Sequence, residues 1–187
     1  MMIPIRIFLR VCPLLLFFST VNAALIPAFS LEDLSRESET IVEGTVIRSS
    51  VGWDAKHTFV WTHYEVQVSD WIRGAGSRSI VVSEPGGTLD GNTYQGSGQV
   101  HYEIGEHVLL FLYTTPIGFV RSSAAGQGKL TITTEGKIRL NLAGLSFAGS
   151  AGPPGTPLSS IEGQRVDAVK TTIRGIALRT PYKGTRR

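Results

Sequence analysis

Cysteine is almost absent from the chain: its 187 residues hold one, Cys12, inside the first apolar stretch. A disulfide framework, C-x-x-C redox chemistry and cysteine-based zinc sites are thereby excluded as organising features. Charge of one sign is lacking too. Eighteen basic residues face fifteen acidic ones, and setting aside Arg6 and Arg10 leaves sixteen against fifteen. That near balance gives no basic footprint for a nucleic acid, so none is expected as a partner. There is no EF-hand loop, no N-x-S/T sequon and no internal repeat.

What the chain does have begins at its start. Arg6 and Arg10 precede the uncharged run Val11 to Val21, which ends at Val21-Asn22-Ala23. Positive residues, an apolar core and small side chains before Ala24 predict a signal peptide over residues 1–23. A retained anchor is the competing expectation, because Val11 to Phe29 carries no charge; Pro13, Asn22 and Pro27 interrupt it as a spanning helix. Cleavage leaves 164 cysteine-free residues, an exported protein, periplasmic or secreted, with no membrane span. That length suits one domain with a core large enough to fold without disulfides. The expected domain runs over residues 24–179, followed by a disordered basic tail, 180–187.

Ser30, followed three residues later by Asp33, predicts a short capped helix over 31–37. Period-two patterning then takes over. Ile41 to Arg48 reads as a strand with a bulge or sharp bend at Gly44. In Phe59 to Asp70, Thr62, Tyr64, Val66 and Val68 share one face, and Trp61, His63, Glu65 and Gln67 the other. Ser79 to Ser83 is a strand stopped by Pro85-Gly86-Gly87, and residues 86–99 read as a flexible stretch with a tight turn at Asp90-Gly91. His107 to Tyr113 is apolar on both faces, as a central strand is. Short strands at 119–121, 129–133 and 137–140 follow, then a Gly/Pro loop over 149–157. Ser159 and Glu162 form a capping box ahead of an amphipathic helix carrying Val166, Val169, Ile173 and Ile176. Strands with helices only at the ends predict a mainly β domain, a small closed or partly open antiparallel barrel or a sandwich.

The stretches IVEGTV (41–46), WIRG (71–74), EPGG (84–87), GEHVLLFL (105–112) and QGKLTI (127–132) resemble a group of uncharacterised exported bacterial proteins. That group in turn is distantly similar to the netrin-like module of tissue inhibitors of metalloproteinases, an OB-type barrel. The resemblance implies a fold over residues 31–133. It does not imply protease inhibition, since that mechanism uses an N-terminal cysteine to chelate zinc, and the chain from Ala24 onward has no cysteine.

Two groups of residues are candidates for function. Trp61, His63, Glu65 and Gln67 would form an outward face of the kind OB-type strands use to hold an oligomeric ligand or a protein; Trp61 is expected either exposed there or covered by the C-terminal helix. No cofactor is expected for such a non-enzymatic binding or interaction module. The alternative is a metal-dependent enzyme: His101, Glu103 and His107 could ligate zinc if the turn at Gly105 brought the two histidines together. His57 and His63 are six apart and share a face only if the strand already runs from His57. Gly144 to Gly149 has one residue too many after Ser146 for a nucleophile elbow. Gly126-Gln127-Gly128-Lys129 lacks the spacing of a phosphate loop.

Overall fold

The computed structural model describes residues 25–95, 99–142, 145–150, 152, 155–180 and 182. The expected signal peptide lies outside them, as does the expected tail from residue 183 on. The strands are β1 Leu25–Ala28, β2 Thr40–Trp53, β3 Val60–Arg73, β4 Ser79–Leu89, β5 Asn92–Gln95, β6 His107–Thr114, β7 Val120–Ser122, β8 Lys129–Ile132, β9 Ile138–Leu140 and β10 Ser146–Ser150; the α-helices are α1 Leu31–Glu37 and α2 Val166–Arg179.

The main sheet closes on itself. Its order β2-β3-β4-β7-β6 returns to the start because β6 also pairs with β2, antiparallel, from Thr40↔Leu112 to Thr45↔His107. The β8–β9 hairpin extends from β6, β5 folds back on β4, and β1 pairs in parallel with β10 as a separate ribbon. The β-rich reading of the sequence therefore holds, and the sheet is a closed ring of five strands with helices near the two ends of the chain.

β6 is buried on both faces, which is why its sequence shows no alternation. Val108, Leu110 and Leu112 fill the ring interior with Val66, Val82 and Tyr102. Leu109 and Phe111 point the other way, into a second core under α1 and α2 with Leu34 and Ile173. Each such side chain, fully withdrawn from water, contributes about 1.5–3 kcal/mol. The four apolar positions read from the sequence of α2, Val166, Val169, Ile173 and Ile176, are its buried residues. α1 has the expected box: Ser30 accepts from the Asp33 N–H, and the Asp33 carboxylate accepts from the Ser30 N–H.

Several expectations are corrected. β4 does not stop at Pro85; it pairs with β3 through Trp61↔Pro85 and runs on into a hairpin with β5. Proline is tolerated there because β4 has one bridge to β7, at Val82, and lies at an edge beyond it. The 86–99 stretch is therefore strand up to Gln95, turning at Asp90 and Gly91, both with positive φ as the tightest hairpin turn requires. Ser159 and Glu162 do not cap α2. They lie in and beside a 3₁₀ turn over Leu158–Ile161, and the Glu162 carboxylate accepts from the Leu140 N–H instead. Part of the expected 149–157 loop belongs to β10, a ribbon with no signal in its Gly/Ser-rich sequence.

α2 is also held to the ring by charge. Lys170 donates to Glu43 and, at 3.0 Å, to Asp70, while Arg174 reaches both Asp70 oxygens at 2.7 Å. Burial acts to raise the Asp70 carboxyl, but the bonds and charges of Lys170 and Arg174 outweigh it and hold it below the usual range. A depressed carboxyl contributes stability above its unfolded value that is lost as pH falls through the folded one. We therefore expect Asp70→Asn to flatten the acid limb of the stability profile, read by urea unfolding at stepped pH. Lys170→Met should cost about 2 kcal/mol, since it leaves Glu43 and Asp70 without their shared donor.

Candidate functional site

Alternation along β3 places the side chains as the sequence implied. Thr62, Tyr64 and Val66 are buried toward the ring interior, while His63 and Glu65 are half-buried and Gln67 is exposed on the outer face. Trp61 is the exception on that face, 8% exposed. Phe119 and Arg121 lie against it. The Phe119 ring meets it edge-on at 4.8 Å, and the Arg121 guanidinium lies 5.8 Å from its centroid. Phe119 also packs edge-on to His63 at 5.4 Å.

His63 Nδ1 is 2.7 Å from Ser83 Oγ, and burial pushes its imidazole below the ordinary histidine value. Glu65 pairs with Arg48 at 2.6 Å. Phe59, two residues before Trp61, and Ile117, two before Phe119, are the open members of the group, 63% and 65% exposed. Each thus stands exposed in a loop, 54–59 or 115–119, two residues along the chain from one ring of the Trp61–Phe119 pair, in which Trp61 is buried and Phe119 half-buried. At the tip of the β2–β3 hairpin a second group stands close by in sequence: Trp53 stacks on His57 at 6.1 Å and meets Tyr94 edge-on at 5.2 Å. His57 and His63 accordingly have separate partners and form no joint site.

Beneath Trp61 runs a polar seam that the sequence reading passed over. Glu84, on β4, is 1% exposed. One of its oxygens accepts from the Ser122 N–H at 2.9 Å and the Ser122 hydroxyl at 2.6 Å; the other accepts from Arg121 Nε at 3.3 Å and an Nη at 3.2 Å. Burial pushes the Glu84 carboxyl above its ordinary range, against the bonds of Ser122 and the charge of Arg121. The buried Trp61 indole N–H makes no hydrogen bond, and the buried Tyr102 hydroxyl, near Ser122 and Glu84, makes none of good geometry.

The alternative metal site is not assembled. His107 Nε2 turns to Glu43 at 2.9 Å, whereas His101 lies 3.9 Å from Glu103 on an exposed rim and 3.4 Å from the Tyr64 hydroxyl. The two histidines have different partners, so the expectation that the turn at Gly105 joins them at one metal is not met. Among the described residues no three histidine, cysteine, aspartate or glutamate side chains are grouped to hold a metal. His101 and Glu103 instead border an open cleft of about 620 Å³, with Glu106, Lys129 and Arg139. Lys129 is spent inside the fold on Glu106 at 2.8 Å and on the His101 carbonyl at 2.6 Å, and carries no phosphate-loop role. Ser146 begins a strand of the β1–β10 ribbon and does not stand at a strand-to-helix turn.

The chain matches no protein-family model and no curated protein sequence. Among the described residues no helix is long and apolar enough to cross a membrane.

Proposed function

We propose that this chain is an exported, non-enzymatic binding module of OB or netrin-like type, which takes an oligomeric ligand or a protein on the outer face of β3. Three things support the barrel assignment: five strands in a ring, the long β2–β3 hairpin with its register shifts and the stretches that resemble exported bacterial proteins. OB-type barrels hold their ligands on a strand face bordered by loops, and here the face of Trp61, His63, Glu65 and Gln67 has the loops 54–59 and 115–119 beside it. Export rests on the composition of residues 1–23.

One observation carries the reading. Phe59 and Ile117 expose large apolar side chains, each two residues before one ring of a Trp61–Phe119 floor in which Trp61 is buried and Phe119 half-buried, an arrangement that costs solvation unless something covers it. Trp61 supports that floor from within, so ligand contact falls mainly on Phe59, Ile117, Phe119 and His63.

The test uses exposed positions, whose loss leaves the fold intact. Phe59→Ser and Ile117→Ser should each weaken binding at least ten-fold in titrations against panels of oligosaccharides and extended peptides. Their melting temperatures should stay within a few degrees of the parent. Binding unchanged in both variants would remove this face as the site.

A further inference from the structure

The ring is not closed equally all round. β2 and β6 share six paired residues and β3 and β4 seven, whereas β4 and β7 meet at Val82↔Val120 alone. Two residues further along, where parallel pairing would continue, the Glu84 side chain enters the gap. It takes the Ser122 N–H and the Ser122 hydroxyl, and it holds Arg121 from the outside. A carboxylate thus does the work of a strand ladder. It is fully buried, with the buried Tyr102 hydroxyl near it, and neither that hydroxyl nor the buried Trp61 indole N–H has a well-formed hydrogen bond. Arg121 in turn is the cation over Trp61.

We propose that the β4–β7 seam is a latch: Glu84 holds the ring shut where backbone pairing stops, and through Arg121 it keeps the cover over Trp61. When the latch opens, β7 and the adjoining 115–119 loop move as one wall of the outer face, while the β2–β3 and β2–β6 ladders stay paired. Glu84 is then a positioning residue for that face. The seam itself stands on the ring geometry; only its bearing on a ligand rests on the binding reading above.

Native-state amide exchange on the intact protein tests it, because a local opening releases Ser122 without releasing Leu110. In the parent protein the Ser122 amide should exchange at least ten-fold faster than that of Leu110, with little dependence on added denaturant. Val82→Cys with Val120→Cys, oxidised across the single bridge, should slow Ser122 to the Leu110 rate; reduction should restore the difference. Glu84→Gln should speed Ser122 exchange at least ten-fold, whereas Arg121→Ala, which leaves the carboxylate for Ser122, should change it less than three-fold. Both variants should shift the Trp61 indole N–H resonance. The latch is overturned if Ser122 and Leu110 exchange together in the parent protein, or if the oxidised bridge leaves Ser122 unchanged. A working seam with no change in ligand titration for Glu84→Gln would count against the binding face and leave the latch standing.

Discussion

Glu84→Ala should lower the unfolding free energy by about 3–5 kcal/mol, the range found when one partner of a buried charged pair is removed. The substitution strands three donors at once: the Ser122 N–H, its hydroxyl, and an Arg121 guanidinium only one-fifth exposed. The carboxylate lies at 1% exposure, withdrawn from solvent. Glu84→Gln should cost less, about 1–2 kcal/mol near neutral pH, since a neutral amide oxygen accepts from Ser122 more weakly than the carboxylate does. It should also change the pH profile in a definite direction. Burial raises the Glu84 carboxyl, so the folded state holds this proton more tightly than the unfolded chain does. Its contribution is then complete below the unfolded value and is lost as pH rises through the folded one. The stability advantage of the parent over Glu84→Gln should therefore shrink as pH rises from the acid side toward neutral, as urea unfolding at each pH would show.

Gly44→Ala should be nearly as damaging, costing about 3 kcal/mol, the upper part of the range for overpacking. A Cβ at this position would lie 2.4 Å from the Gln67 carbonyl oxygen and 2.8 Å from Val66 Cγ1. Neither can retreat, because β2 is paired on both sides here, to Val68 of β3 and Val108 of β6. Gly52→Ala is the control: its Cβ would meet nothing within 4 Å, and the change should stay within about 0.5 kcal/mol. Equal melting temperatures for the two variants would mean that β2 is not clamped at Gly44.

Both residues show what the sequence could and could not convey. Gly44 was legible, since a glycine inside a β-branched run signals a bulge, and the register between β2 and β3 does shift at Glu43/Gly44. The alternation of β3, the double-faced burial of β6 and the stripe of α2 were equally plain, because each follows from local periodicity. Glu84 was visible only as part of EPGG, ahead of a proline read as a strand end. Its role depends on Ser122, thirty-eight residues away, and no local pattern encodes that meeting. The same limit applies to Trp61. Period two put it on the outer face, but Phe119 arrives from a loop after β6, so the cover over the indole could not be read from the chain. His101 and His107 failed as a pair for the opposite reason: their closeness in sequence suggested a joint role, while Glu43 and Tyr64 on other strands took them apart.

The aromatic face is the centre of this account, and crosslinking from defined positions in the cells that make the protein tests it most directly. A photoreactive phenylalanine analogue at position 59 or 117 should form an adduct with the ligand. The same analogue at position 178, an exposed leucine on α2, should form none. Adducts from 178 alone, or equally from all three positions, would contradict the assignment of binding to the outer face of β3.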